Sequence, residues 1–204
     1  MESKEELAGA LRDVRKAYRL LYFFQRRVLS VIDQLRQTLG GRRFYRWLPS
    51  GDDEAIMAAS NPFDRSDLKM IPLWDASFLF LPPDGDPHAQ AKGQWLLEVL
   101  VSPDDGYPED DARELRPADF KDPVECRSTI YLCAIIALKD MERNWYSEIY
   151  LNTEWPKEDG VPETRDDVCV VGLTVDLSIL PDYESIESVG ERFREVVRAA
   201  GGLA

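Results

Sequence analysis

Residues 4–39 read KEELAGALRDVRKAYRLLYFFQRRVLSVIDQLRQTL, with no proline and one internal glycine, Gly9. Leu7, Val14, Leu21, Val28 and Leu35 recur every seven residues. Leu11, Tyr18, Gln25, Ile32 and Leu39 form a second series, offset from the first by three and four. That is an a/d heptad pattern, the spacing that keeps one seam of a helix turned toward a partner. It predicts one continuous helix, roughly 54 Å long at 1.5 Å per residue. Gly40-Gly41 supplies the stop, because glycine takes the left-handed cap conformation without a side-chain clash.

The seam is not a plain zipper. Leu20, Tyr22, Phe23, Phe24, Leu29 and Val31 add apolar surface outside it, so the middle of the helix is apolar on nearly every side. A helix of that kind is buried on more than one face. The expectation is a central helix with one face on a sheet and the opposite face on another helix. Gln25, at a seam position, either fixes register between two copies or lies exposed at a frayed edge. The expected partner-binding surface is Leu7, Leu11, Val14, Tyr18, Leu21, Gln25, Val28, Ile32 and Leu35, and its simplest use is a homodimer.

The next residues, Arg42-Arg43-Phe44-Tyr45-Arg46-Trp47-Leu48-Pro49, interleave three guanidinium groups with three rings. Single-stranded nucleic-acid sites combine cations that track phosphates with rings that stack on bases. Arg42, Arg43, Arg46 and Trp47 are therefore the candidate nucleic-acid residues. The competing reading is a short strand with Phe44 and Arg46 on one face and Arg43, Tyr45 and Trp47 on the other. Its rings are then core, and its arginines reach out to solvent along their apolar stems.

Further along, alternating or continuous apolar runs predict strands over 70–81, 94–101, 127–138, 146–155 and 168–177. Within 94–101, Trp95, Leu97, Val99 and Val101 fall on one face and Leu96, Glu98 and Leu100 on the other. The 127–138 run also admits a helix, since Asp122-Pro123 is a helix-start signal. Gly172 marks a bulge or a close approach. Residues 183–199 read as an amphipathic helix, with Asp182 as cap and basic residues late in the run. The layout is α+β: a long N-terminal helix and a C-terminal helix packed on a mostly antiparallel sheet of four to six strands. Residues 1–41 form a helical arm and 42–204 the body, with the helix packed on it as one unit.

The chain has 204 residues and a net charge of -13, but the charge is split. Residues 1–47 carry +6 and the remainder -19. Such asymmetry hints at an interaction surface. The simplest use of it is the basic segment docking on its own acidic body or on that of a sister subunit. No run approaches the ~18 apolar residues of a membrane span, and the charged N-terminus has no signal-peptide pattern. Three widely spaced cysteines are no disulfide framework. The expectation is a soluble cytoplasmic protein that needs no membrane and no cofactor.

Candidate chemistry reduces to carboxylates. His88, the single histidine, sits in the turn-like Asp84-Gly85-Asp86-Pro87-His88-Ala89, and no nucleophile-elbow or phosphate-loop pattern is present. Cys126, Cys133 and Cys169 lack metal-ligand spacing. Asp75 and Glu98 fall in neighbouring expected strands, with Asp104, Asp105, Glu109, Asp110, Asp111 and Glu114 in the loop that follows. Carboxylates on adjacent strands can hold Mg²⁺ and position a water. The layout resembles metal-dependent nucleases of the restriction-enzyme type, with an acid on one strand and acid-X-Lys on the next. Leu100 stands where those enzymes carry the lysine.

Three functional expectations result. The leading one is a protein-interaction or regulatory module that self-associates or binds a larger protein partner through its N-terminal helix. The alternatives are single-stranded nucleic-acid binding through the arginine–aromatic patch and metal-dependent phosphodiester cleavage through Asp75 and Glu98.

Overall fold

The computed structural model describes residues 4–48, 75–106 and 120–203. Helix α1 runs Lys4–Thr38, followed by strands β1 Arg43–Leu48, β2 Ala76–Leu81, β3 Trp95–Ser102, β4 Thr129–Ala137, β5 Glu163–Arg165 and β6 Val168–Asp176. Helix α2, Tyr183–Ala199, closes the chain. The strands form one antiparallel sheet in the order β1-β2-β3-β4-β6-β5. This is the α+β layout read from the sequence. The acids Glu109, Asp110, Asp111 and Glu114 lie outside the described residues, as do 70–74 of the first expected strand.

Alternation along the strands builds two cores. On one face Phe78, Leu97, Val99, Val101, Leu132, Ala134 and Val171 meet Val28, Val31, Ile32, Leu35 and Leu39 of α1 and Ile186, Val189, Phe193 and Val197 of α2. Burying each of these large aliphatic or aromatic side chains is worth about 1.5–3 kcal/mol, so the C-terminal third of α1 is firmly held. On the other face Leu79, Leu81, Leu96, Cys133, Ile135 and Val170 lie beneath Met141, Trp145 and Ile149. A sheet covered on both faces explains why 127–138 is apolar almost throughout. That run is strand β4, preceded by a short turn at 123–125.

The strand expected over 146–155 is instead helical: a π-helical turn Trp145–Ile149, then a 3₁₀ turn Tyr150–Asn152. Capping overrides the aromatic alternation here. The Asn144 side chain accepts from the Tyr146 and Ser147 amides at 2.9 Å each. In return the Glu148 carboxylate accepts from the Asn144 amide at 2.6 Å. This reciprocal arrangement satisfies the exposed donors of a helix start.

At the end of α1, Gly40 and Gly41 take φ of +94° and +66°. The Gly41 amide donates to the Gln37 carbonyl and the Arg42 amide to that of Arg36. This C-cap turns the chain straight into β1. Asp182 caps α2 as expected, accepting from the Ser185 amide at 2.9 Å. Gly172 makes no bulge, since β4 and β6 pair in continuous register around it. It is a close approach: a Cβ there would lie 1.8 Å from the Tyr131 hydroxyl.

Candidate functional site

The seam of α1 changes environment partway along. Val28, Ile32 and Leu35 are 1%, 3% and 0% exposed, whereas Leu7, Leu11, Val14 and Tyr18 are 50%, 48%, 48% and 70% exposed. Leu21, Phe24 and Gln25 are half-buried at the crossover. The nine expected seam residues therefore divide into an inner set committed to the chain's own core and an outer set facing solvent. Together with Leu21 and Gln25 at the crossover, the outer set follows one stripe for some 20 residues, roughly 30 Å of helix. Leu20, Tyr22 and Phe23 are also exposed near the base of this arm. The arm's charged positions from 12 to 27 are mostly basic: Arg12, Arg15, Lys16, Arg19, Arg26 and Arg27 against Asp13.

Where the arm leaves the body there is a cleft of about 440 Å³. Phe24, Val28, Val31 and Leu177 give it an apolar lining, with Arg27, Cys126 and Asp176 among its polar groups. The Arg27 guanidinium donates to the Leu180 carbonyl, which pins the base of the arm to the segment ahead of α2.

The arginine–aromatic patch is not gathered into one surface. Arg42 is 4% exposed and donates to the carbonyls of Leu39 at 3.2 Å and Trp95 at 2.6 Å. Its guanidinium carbon lies 3.1 Å from the centroid of the Trp95 ring. Burial brings the Arg42 pKa down to about 9. Arg43 donates to the Gly85 carbonyl at 2.7 Å, and Arg46 stacks on Tyr146 at 3.9 Å.

A bulge between Phe44 and Arg46 breaks the alternation expected for this strand. One extra residue swings the following side chains to the other face. Phe44 and Trp47 thus lie together against Phe80 and Phe78 on the helix-bearing face. Tyr45 packs into the opposite core. Contrary to the expected core placement, Phe44 and Trp47 are about half exposed. The three guanidinium groups go to three places, so the array of phosphate contacts read from the sequence does not assemble.

Asp75 and Glu98 are likewise kept apart. Glu98 pairs with Leu79 while Ala76 pairs with Val101, so Asp75 sits four residues further along β2, about 13 Å at strand spacing. Asp75 also holds a left-handed backbone, φ 43°, just ahead of the strand.

Glu98 is fully buried in the second core. Its Oε1 accepts from Ser77 Oγ and Tyr150 Oη at 2.7 Å each, and its Oε2 accepts from Trp155 Nε1 at 2.8 Å. Burial raises the Glu98 pKa, and the three donors pull part of that back. The same burial, with Glu98 nearby, pushes the Cys133 thiol up, and burial raises the Tyr150 phenol as well. A metal would have to displace three donors from a closed interior. The geometry is that of a tie between the sheet and its covering segment.

Sequence reading missed Ser77, Tyr150 and Trp155. The available signals were Leu96 and Leu100, which flank Glu98 on its face, and the Asn144-to-Glu148 cap. Together they imply a buried face and a helical cover for it.

Asp104, Asp105 and Cys126 form the one trio among the described residues whose ligand atoms lie within 4.8 Å of one another. Two of its carboxylate oxygens already accept backbone amides, from Gly106 at 2.8 Å and Arg127 at 2.7 Å, so both are engaged in holding the loop. His88 is an exposed loop residue with Nδ1 3.2 Å from the side-chain Nδ2 of Asn144. Among the described residues, no helix is long and apolar enough to cross a membrane.

Comparison with known proteins adds a family and a relative. The chain is 27% identical over 198 residues to the uncharacterized protein PM0109 of Pasteurella multocida (strain Pm70), a match covering 92% of each chain. No solved structure matches. The profile of the family described as PM0109 matches residues 4–202, nearly the whole length of the arm and body just described. The chain belongs to the PM0109 family.

Proposed function

We propose that the protein is a cytoplasmic interaction or regulatory module that self-associates through the outer half of α1. One observation carries the reading: a single heptad stripe is buried in the chain's own core from Val28 onward and exposed from Leu7 to Tyr18. Most helical stability in proteins comes from packing of an amphipathic face rather than from propensity. An exposed stripe of regular a/d spacing is the surface that a second helix completes. In the cytoplasm the three cysteines, all free thiols here, stay reduced.

The test is sedimentation velocity at micromolar concentration on the wild type, Leu11→Glu and Tyr18→Glu. Both positions are exposed in the single chain and far from the sheet, so the variants keep the body folded, with the wild-type urea midpoint of the core. The wild type is expected to sediment as a dimer and both variants as monomers. A wild-type monomer, or variants that sediment like the wild type, refutes the reading.

A further inference from the structure

The geometry points to an antiparallel pairing of arms from two copies of this chain, with the first turn of α1 in each lying at the cleft at the base of the other. This rests on the self-association reading and adds the partner's orientation to it.

The first argument is steric. In a parallel, in-register pair the shared stripe would run on from Tyr18 through Val28, Ile32 and Leu35. Those side chains already lie against the chain's own sheet and α2. A parallel partner would therefore drive its body into this one just where the seam becomes core. An antiparallel partner uses only the exposed stretch and ends where the body begins.

The second argument is fit. From Leu7 the seam runs through Leu11, Val14, Tyr18, Leu21 and Gln25, in steps of four, three, four, three and four. That order reads the same in both directions, so it superposes on itself when reversed about residue 16. Leu11 then meets the second copy's Leu21, Val14 meets its Tyr18, and Leu7 meets Gln25 at the end of the seam. On the flanks of the seam, the bulky Tyr22 lies on the same side as the second copy's Ala8, and Phe24 on the same side as its Ala10. Large side chains opposed to small ones let two helices close without voids.

The third argument is electrostatic. The positions that flank the seam over this stretch carry one charge, Arg15, which falls beside the second copy's Arg15 near the midpoint, and its apolar stem lets the head turn outward to water. Lys16, at the midpoint, is held by its own chain's Asp13 at 2.9 Å. The bodies are strongly acidic, at -19 for the chain beyond residue 47. Antiparallel arms hold them at opposite ends of roughly 30 Å of helix, several times the ~8 Å Debye length at physiological salt.

This arrangement brings residue 4 of one copy level with Val28 of the other. Val28 and Cys126 line the same cleft. A Lys4→Cys variant therefore places its new thiol beside the native Cys126 of the second copy. Within one chain the same two thiols cannot meet, because residues 4 and 28 of the helix are about 36 Å apart. Cys133 and Cys169 are buried and stay out of reach.

The experiment treats full-length Lys4→Cys with a short bismaleimide, identifies cross-linked peptides by mass spectrometry, and follows the same samples by sedimentation velocity. The expected result is a dimer in which the introduced thiol is linked to Cys126 of the other copy, a product lost in Lys4→Cys/Cys126→Ser. A dimer in which the two introduced thiols link to each other, or in which neither product forms, overturns the antiparallel arrangement and leaves self-association standing. A monomer overturns both.

Discussion

Replacing Glu98 by glutamine isolates the cost of holding a carboxylate inside this fold, and its sign can be worked out from the structure. In Glu98→Gln the amide oxygen would keep the bonds from Ser77 and Tyr150, because both donate to one oxygen of the native carboxylate. The amide nitrogen would replace the oxygen that accepts from Trp155 Nε1, so that a donor meets a donor. Loss of that bond costs about 1.5–3 kcal/mol where the acceptor is charged.

The pH dependence is the sharper readout. Burial raises the native pKa of Glu98 above its ordinary 4.5. Below 4.5 both folded and unfolded chains hold the proton, and the stabilisation due to the raised pKa is fully present. As pH rises from there toward the native value, the unfolded state gives up the proton first, and stability falls by about 1.4 kcal/mol per pH unit. Above the native value the contribution is gone. The glutamine variant has no such term, and the other carboxylates cancel in the comparison.

Urea unfolding followed by tryptophan fluorescence between about pH 4 and 8 should therefore show the wild type losing stability relative to Glu98→Gln as pH increases, then levelling off. A difference that is flat, or that grows in favour of the wild type with pH, would mean the three donors outweigh burial and the reasoning about Glu98 is wrong.

Two further substitutions test the packing. Arg42→Ala removes two hydrogen bonds to buried carbonyls and a desolvated cation–π contact, for a loss of about 3 kcal/mol in chemical unfolding; Arg42→Lys should not restore it, because an ammonium cannot reproduce the planar fork. Gly172→Ala drives a methyl into the Tyr131 ring and should cost about 1–3 kcal/mol, recovered largely in the double variant with Tyr131→Val; Tyr131→Phe alone should be neutral or stabilising, since the buried hydroxyl has no hydrogen-bond partner among the described residues. Additive effects of the Gly172 and Tyr131 changes would show that the two do not touch in solution.

The sequence was informative where structure is local. A heptad stripe, a glycine pair and a proline-free run are enough for α1, and Asp182 with the periodic run after it is enough for α2. What periodicity cannot show is where a stripe passes from core to solvent, because the crossover near Gln25 is set by where the sheet ends. The bulge after Phe44 was equally hidden. An extra residue in an edge strand leaves no compositional mark, yet it reverses the faces of every side chain beyond it. Glu98 looked like a ligand because its donors are far off in sequence: Ser77 by 21 residues, Tyr150 by 52 and Trp155 by 57. The helical cover that brings two of them in was disguised by aromatic residues that alternate like a strand.

The tie between Arg27 and the Leu180 carbonyl spans 153 residues, and it sets an order of assembly. The first four strands of the sheet are each neighbours of the next in sequence, so they can pair as the chain emerges. Helix α1 is made first, but α2, which completes its burial, is made last. At about 5–20 residues per second, the inner half of the seam waits roughly 8 to 30 s for its cover. During that interval the sheet alone covers the inner half of the stripe, and the side of Val28, Ile32 and Leu35 that α2 takes is open. Completion of α2 is thus the event that closes the inner half of the seam over Val28, Ile32 and Leu35 and leaves Leu7 to Tyr18 exposed.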